Sequence, residues 1–274
     1  MSDMVSKLLP VLTGLCLLSA SGRMMGQDAG DRFRWPAGKR VAVSLSFDDA
    51  RASQVNSGIP LLDKYGVKAT FYVNPGNIEK QLSGWKKAVA NGHEIGNHTS
   101  SHPCTVNYTF SSKNALENYT VSMMEQELEA ASATIQRLLG IEPTTFAYPC
   151  GQKFVGRGPA VMSYVPLVAS RFLVGRGFRD EGANDPVACD LAQVLGIESD
   201  GLTFEQMKDL VDGAAARRGW LVFAGHEIGK PGAQTTQAAV LDQFLRYAGD
   251  PANGIWIDTV QAVGKYLRAQ HGGD

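Results

Sequence analysis

The sequence predicts a single α/β domain, a parallel sheet closed or nearly closed into a barrel and wrapped by helices. Three observations carry this. From Lys39 onward, strand-like and helix-like stretches alternate. About seven such units fit into about 235 residues, the economy of a barrel and not of two small domains. And no Ser/Pro-rich or charge-blocked stretch stands as a linker.

The elements follow in order. "VAVSLSF" (41–47), rich in Val, Leu and Phe, reads as a buried strand. "NSGIPLLDKYG" (56–66) reads as a helix stopped by Gly66, and "KATFYV" (68–73) as the second strand. "SGWKKAVANG" (83–92) spaces Trp85, Ala88 and Val89 as a helix does, and "HEIGNH" (93–98) carries a short strand into a loop. The clearest helix is 123–140, where Leu128, Ala131, Ile135 and Leu138–Leu139 form an apolar stripe ending at Gly140. "TTFAYP" (144–149), "SRFLVGRGF" (170–178) and "LAQVLGIE" (191–198) are further predicted strands. Helix 203–219, strand 220–226, helix 236–250, the short strand 254–258 and helix 259–270 complete the alternation.

Composition narrows the function. A chain of 274 residues with 44% hydrophobic content can bury a sizeable core. Its net charge of −1, with both signs mixed along the chain, gives no basic stripe for nucleic acid. Thirty glycines suit many tight turns. At the N-terminus, Lys7, the apolar run "LLPVLTGLCLLSA" and the small residues 19–22 form the pattern of a secretory signal over residues 1–26, predicting a secreted or periplasmic protein. The run is shorter than the ~20 residues that span a bilayer, so no stable membrane insertion is expected. A lipid-bearing Cys16 fits less well, because bulky Leu15 precedes it. Beyond that segment lie Cys104, Cys150 and Cys189, an odd number, so any disulfide leaves one thiol. Asn97, Asn107 and Asn118 each begin an N-x-T triplet, and a glycan on Asn97 would obstruct the histidines beside it.

Those histidines pose the functional question. "HEIGNHTSSH" (93–102) holds three of the chain's five. His98 and His102 are four apart, which in helical or turn-like backbone puts both rings on one face, Cβ atoms about 5–6 Å apart. Two His with one carboxylate and an open fourth position are the ligand set of a catalytic zinc. A carboxylate pair is available: Asp48-Asp49 ends the first strand, where two acids are costly without a cation or proton chemistry to use them. Alternation along a strand turns one acid to the metal and the other to the substrate. A parallel barrel collects functional groups at its strand ends, and there stand Asp48-Asp49, His98/His102, Cys150-Gly151 and His226. The polar stretch 103–122, following directly on the histidines, is expected to line a groove. His93 is expected to be structural, and His271, in a polar tail, is given no role.

"SFDDA" (46–50), "HTSSH" (98–102), "FAYPCG" (146–151) and "VFAGH" (222–226), in this order, resemble the polysaccharide deacetylases of the NodB-homology type, carbohydrate esterase family 4. The resemblance spans residues 35–268 and implies a distorted (β/α)7-type barrel with one divalent metal, Zn²⁺ by default from the ligand types. It implies Asp48 as catalytic base, Asp49, His98 and His102 as metal ligands, and His226 as general acid. The Cys150 N–H would help hold an oxyanion, with Tyr148 and Gly151 in the same substrate-binding turn. Two features depart from the family pattern: "TTFAYPCG" lacks the arginine that steadies the base, and the acid-orienting aspartate is not evident, Asp190 being the candidate. The implied activity is removal of acetyl groups from N-acetylated sugars of a polysaccharide or oligosaccharide. An O-acetyl glycan esterase and a non-catalytic glycan-binding domain are the alternatives; the first needs less from an acid, and the second predicts loss of a key residue. The sequence does not fix the glycan, the subunit association or any disulfide pairing.

Overall fold

The computed structural model describes residues 33–272, so the expected secretory signal over 1–26 lies outside the described residues. Eight parallel strands make the main sheet: β1 (Val41–Asp48), β2 (Thr70–Val73), β3 (Glu94–Asn97), β4 (Thr145–Ala147), β5 (Val174–Arg176), β6 (Ile197–Glu198), β7 (Trp220–Gly225) and β8 (Ile255–Ile257). Seven follow the order β5-β4-β3-β2-β1-β7-β6, and β8 also pairs with β1. Strand β1 pairs along Ala42–Phe47 with β7, and its other edge is divided between β8 at Val41–Val43 and β2 at Ser46–Asp48. The far ends of this curled sheet approach each other through a parallel bridge between Arg176 and Val194. The predicted α/β barrel class is therefore observed.

The side-chain period of two divides the strands between two environments. Val41, Val43, Leu45 and Phe47 face outward and pack with Leu62, Met207, Leu241 and Phe244 in the largest core cluster. Ala42, Ser44, Ser46 and Asp48 continue the opposite face. There the Trp220 indole N–H donates to Ser44 Oγ (3.0 Å), and Ser46 Oγ donates to Phe223 O (2.7 Å). This inward face also carries Tyr72, Arg176 and Glu94, all buried. Glu94 accepts from Thr70 Oγ1 (2.7 Å), from Thr145 Oγ1 and from the Gln261 N–H (2.8 Å). Burial pushes its carboxyl up despite those donors. Gly96 makes room for this filling, since a Cβ there would lie 2.4 Å from the Tyr72 ring.

Helices α1 (Ile59–Lys64), α2 (Leu82–Ala90), α3 (Val121–Leu139), α4 (Val165–Arg171), α5 (Phe204–Ala215), α6 (Ala238–Gly249) and α7 (Val260–Gln270) cover the sheet. The predicted stripe of α3 is its buried face, begun by Thr120 accepting from the Met123 N–H and ended by left-handed Gly140. Thr203 and Gln206 form a capping box on α5.

Three stretches differ from the sequence reading. Residues 170–171 close helix α4, begun by Pro166 in its first turn, and only Val174–Arg176 of 170–178 is strand. In 191–198 a short 3-10 turn precedes the two-residue β6. Helix α1 is entered through a π turn at Gln54–Gly58. Asn97 is fully buried, its side-chain amide donating to Leu128 O (2.9 Å) and Ser132 Oγ (2.8 Å), so its N-x-T triplet offers no accessible acceptor. Asn107 and Asn118 are exposed.

Candidate active site

Of the strand-end groups singled out above, Asp48, Asp49, His98, His102, Cys150 and His226 line one cavity of about 760 Å³ at one end of the barrel. Asp48, the last residue of β1, points inward on the same face as Ser44 and Ser46. Asp49 leaves the strand with φ +74°, and Ala50 follows at +51°. It is this left-handed step that aims the two carboxylates differently; strand alternation, the expected device, does not extend to Asp49. Aspartate tolerates that region better than most residues.

His98 and His102 lie on a loop and not on a helix. The Asn97 side-chain oxygen accepts from the Thr99 N–H (2.8 Å), and Thr99 Oγ1 accepts from the His102 N–H (3.0 Å). Thr99 and His102 both have positive φ, so the chain folds back within one turn. Glu127 on α3 holds the loop from outside, accepting from the N–H groups of Ser100 and Ser101 (3.0 and 2.9 Å). The rings end with centroids 4.8 Å apart.

Asp49 Oδ1 lies 3.6 Å from Nε2 of both His98 and His102, and the three ligand atoms are all within 4.8 Å of one another. Donors about 2.0–2.2 Å from a tetrahedral ion sit roughly 3.3–3.6 Å apart, so the set fits a divalent cation. Protonation agrees. His98 Nδ1 lies 2.8 Å from Ala147 O, the arrangement in which Nδ1 donates and Nε2 keeps its lone pair for the cavity. Burial and the neighbouring His98 push the His102 pKa down to about 4, leaving that ring neutral. Arg51 donates to the other oxygen of Asp49, at 2.8 and 3.1 Å.

Two buried ion pairs flank this cluster. Asp48 is paired with Arg176, whose side chain is fully buried, whose Nη1 donates to Gly177 O (2.8 Å) and whose guanidinium lies 4.9 Å from the Tyr72 ring centre. Burial alone drives the Asp48 carboxyl up, but Arg176, His98 and His226 outweigh it and hold it below the usual carboxylate value. On the other side, His226 Nδ1 lies 2.6 Å from Asp200 Oδ2, while Asp200 Oδ1 accepts from the His226 N–H (3.2 Å) and Thr236 Oγ1 (3.1 Å). Burial lowers the His226 pKa by itself; the Asp200 hydrogen bond and the charges of Asp48, Asp200 and Asp49 reverse this and raise it. Asp200 comes this close because Gly225 has no side chain: a Cβ there would be 3.0 Å from its Oδ1.

Several expectations are corrected here. The arginine beside Asp48 exists, but it comes from β5 and not from "TTFAYPCG". A lone arginine inside the apolar stretch "FLVGRGF" was its sequence signal. The residue against His226 is Asp200; Asp190 instead accepts from the Ala192 N–H (2.9 Å), capping a 3-10 turn. Tyr148 points into the core, its hydroxyl donating to Ala192 O (2.8 Å), so its side chain is not in the substrate turn's open face. The Gly151 N–H is used within that turn, donating to Tyr148 O (2.8 Å), and Gly151 borders a second, smaller cavity. Cys150 does line the main cavity, at φ +54°. It is also disulfide-bonded to Cys104, so cysteine does shape this site, and Cys189 is the free thiol among the described residues. His93 is buried, accepting from the Ala69 N–H (3.1 Å), as a structural histidine does. Tyr108 and Phe110 bring the 103–122 stretch into the cavity wall as stacked rings, planes 6° apart.

An α/β barrel whose strand ends gather two acid–base ion pairs around an Asp-His-His set has the architecture of a hydrolase. The polysaccharide deacetylase family profile matches residues 32–155, which contain Asp48, Asp49, His98 and His102. The peptidoglycan-N-acetylglucosamine deacetylase PgdA of Listeria monocytogenes is 31% identical over 121 residues, 41% of this chain and 22% of that protein. Among solved structures, a polysaccharide deacetylase-type protein from Mycobacterium smegmatis superposes with a TM-score of 0.65 at 16% identity, covering 87% of this chain and 93% of that one. A family 4 acetyl xylan esterase from Clostridium thermocellum, in complex with a cobalt ion, gives 0.54 at 22% identity over 85% and 93%. The chain thus carries a polysaccharide deacetylase-type segment over residues 32–155, on a fold shared with these solved structures. It spans about a quarter of the length of the curated deacetylases it matches.

Proposed function

We propose that the protein removes acetyl groups from N-acetylated sugars of a polysaccharide, with Asp48 as base, His226 as acid and a divalent cation, Zn²⁺ by ligand type, held by Asp49, His98 and His102. One observation carries this reading: the Asp48–Arg176 and His226–Asp200 pairs border the same cavity with opposite protonation preferences. Two titratable groups whose surroundings separate their pKa values are the sign of an acid–base division of labour.

A cation bound there would supply Lewis acidity, polarising an acetyl carbonyl and lowering the pKa of water towards ~7. Asp48, kept ionised by Arg176, takes the proton of the attacking water. The Cys150 N–H is the donor placed for the carbonyl oxygen as it gains charge, since the Gly151 and Gln152 amides already donate to Tyr148 O and Pro149 O. His226, its pKa raised and its ring oriented through Nδ1 by Asp200, presents Nε2 to the departing nitrogen. An amide needs that proton far more than an ester does, which favours N-deacetylation over the esterase reading. The disulfide supports export to an oxidising compartment.

The test is acetate release from a panel of N- and O-acetylated oligosaccharides, with metal-loaded, chelator-treated and Asp48→Asn protein. N-acetyl substrates should be cleaved by the first preparation alone. Undiminished release after complete demetallation, or by Asp48→Asn, would overturn the assignment.

A further inference from the structure

His102 has two ring nitrogens, and they face different neighbours. Nε2 looks to Asp49 Oδ1 at 3.6 Å. Nδ1 looks to Cys104 Sγ at 3.7 Å, one end of the Cys104–Cys150 disulfide. A ligand histidine ordinarily gives its second nitrogen to a carboxylate or carbonyl, as His98 does with Ala147 O. Here the partner is sulfur. The ligand atoms of His102, Cys104 and Cys150 lie within 4.8 Å of one another, as tightly grouped as the Asp49-His98-His102 set.

We propose that, in the dithiol form of the protein, Cys104, Cys150 and His102 make a second metal site for a thiophilic divalent cation such as Zn²⁺ or Cd²⁺. Closing the disulfide then commits His102 to Asp49 and His98. Two thiolates and an imidazole with an open fourth position form a known catalytic-type zinc set. Soft sulfur ligands favour such ions over Asp-His-His. The sites share one residue and compete for it: each uses a different nitrogen of His102, and a neutral imidazole has only one lone pair in its ring plane.

The chemistry balances with a dithiol reductant. Its two thiols give up two electrons and two protons and become a disulfide. The Cys104 and Cys150 sulfurs receive them and become two thiols, and cation binding then releases the two protons. Cys104 is fully buried and Cys150 partly exposed on the cavity wall, so attack is open at the Cys150 sulfur. A newly made chain also carries these thiols before oxidation, when a misplaced cation would hold the loop away from its working position.

Co²⁺ is the probe, because thiolate ligation adds an intense near-ultraviolet charge-transfer band that Asp and His ligands do not give. The full chain is titrated with Co²⁺ in oxidised form, after dithiol treatment and removal of reductant under anaerobic conditions, and as the Cys104→Ser/Cys150→Ser double variant. That variant retains Cys16 and Cys189 and controls for both. One Co²⁺ per chain is expected in both wild-type forms, with the thiolate band confined to the reduced one. Restoring the disulfide should abolish the band.

A reduced protein that has gained two reactive thiols but shows no band overturns the proposal, and so does a band of equal intensity in the double variant. Two Co²⁺ bound per reduced chain would overturn the competition for His102. Loss of native circular dichroism on reduction also counts against it, because the ligands are 46 residues apart and meet only in the folded chain. Binding by the oxidised form tests the Asp49-His98-His102 reading separately, and its failure would leave the thiolate result standing.

Discussion

Replacing Arg176 by methionine tests the most buried ion pair in the site. Methionine keeps much of the side-chain volume against Tyr72 and removes the charge, the donor to Gly177 O and the partner of Asp48. Asp48 is 3% exposed, so water cannot take the guanidinium's place. Breaking a buried pair by deleting one member typically costs 3–5 kcal/mol, a large share of the ~5–15 kcal/mol that holds a domain folded. The pH dependence carries the sign. In the wild type the folded pKa of Asp48 lies below its unfolded value of ~3.9, so its contribution is present above that value and is lost as pH falls through the folded pKa. Burial is already the largest single influence on Asp48, and without Arg176 it loses its chief opponent, so the folded pKa is expected to rise above the unfolded one. The penalty is then full at neutral pH and shrinks as acid neutralises the carboxyl. Urea denaturation in chelator, at about pH 7 and about pH 5, should show a destabilisation of ~3–5 kcal/mol that falls on acidification. A variant within about 1 kcal/mol of wild type at neutral pH, or a deficit constant with pH, would refute this account of Asp48. Arg176→Lys should recover only part of the loss, because an ammonium cannot also reach Gly177 O in the guanidinium's planar geometry.

Asp200→Asn removes the carboxylate whose hydrogen bond and charge help raise the His226 pKa, leaving the charges of Asp48 and Asp49. The protonated acid is lost as pH rises through that pKa, so the alkaline limb of the kcat profile should move to lower pH; an unmoved limb would show that His226 is not the acid observed. His226→Ala should lower kcat by ~10²–10⁴ while leaving Co²⁺ affinity near wild type; wild-type turnover would remove it from the mechanism. Gly151→Ala places a methyl 2.7 Å from Phe178 O at φ +69°, and a drop in thermal midpoint together with a lowered kcat is expected, read by calorimetry and acetate release. Thr203→Ala removes the α5 cap, so about 1 kcal/mol of stability should be lost in denaturant titration.

How much of this was legible in the sequence follows from the range of the forces involved. The apolar stripe of α3 and the Val/Leu/Phe run of β1 announce themselves because burial imposes a period on neighbouring residues. His98 and His102 are also local: Asn97 and Thr99, within the same motif, build the turn that brings them together. The boundary at 170–174 was misread because Val, Leu and Phe suit a buried helix end as well as a strand, and only Pro166 marked the helix. Arg176 and Asp200 stand 128 and 26 residues from the groups they touch. No spacing rule joins such pairs, because the sheet order sets them side by side. The disulfide was hidden for the same reason: three candidate cysteines allow three pairings, and proximity in the fold decides.

The long-range residues have one property in common that the local ones lack. Arg176 and Asp200 do not enter the ligand set; they fix the charge state of a residue that faces the cavity. A base buried beside three histidine rings needs a permanent cation, or desolvation would neutralise it, and arginine is the side chain that cannot give up its proton. An acid meant to stay protonated needs a carboxylate on its far nitrogen, leaving the near one free to donate. An arginine can therefore reach Asp48 from a different strand than the resemblance implies, provided that strand end delivers the charge to the same oxygen. β5 does so here because Val174 and Arg176 share the inward face, and because Gly196, where a Cβ would lie 2.5 Å from Arg176 Cδ, leaves room for the side chain. On this argument Gly196→Ala, though it touches no substrate, should displace Arg176 and reproduce a milder form of the Arg176→Met defect, including its relief at low pH. Loss of stability without that pH signature would mean that Gly196 serves packing alone.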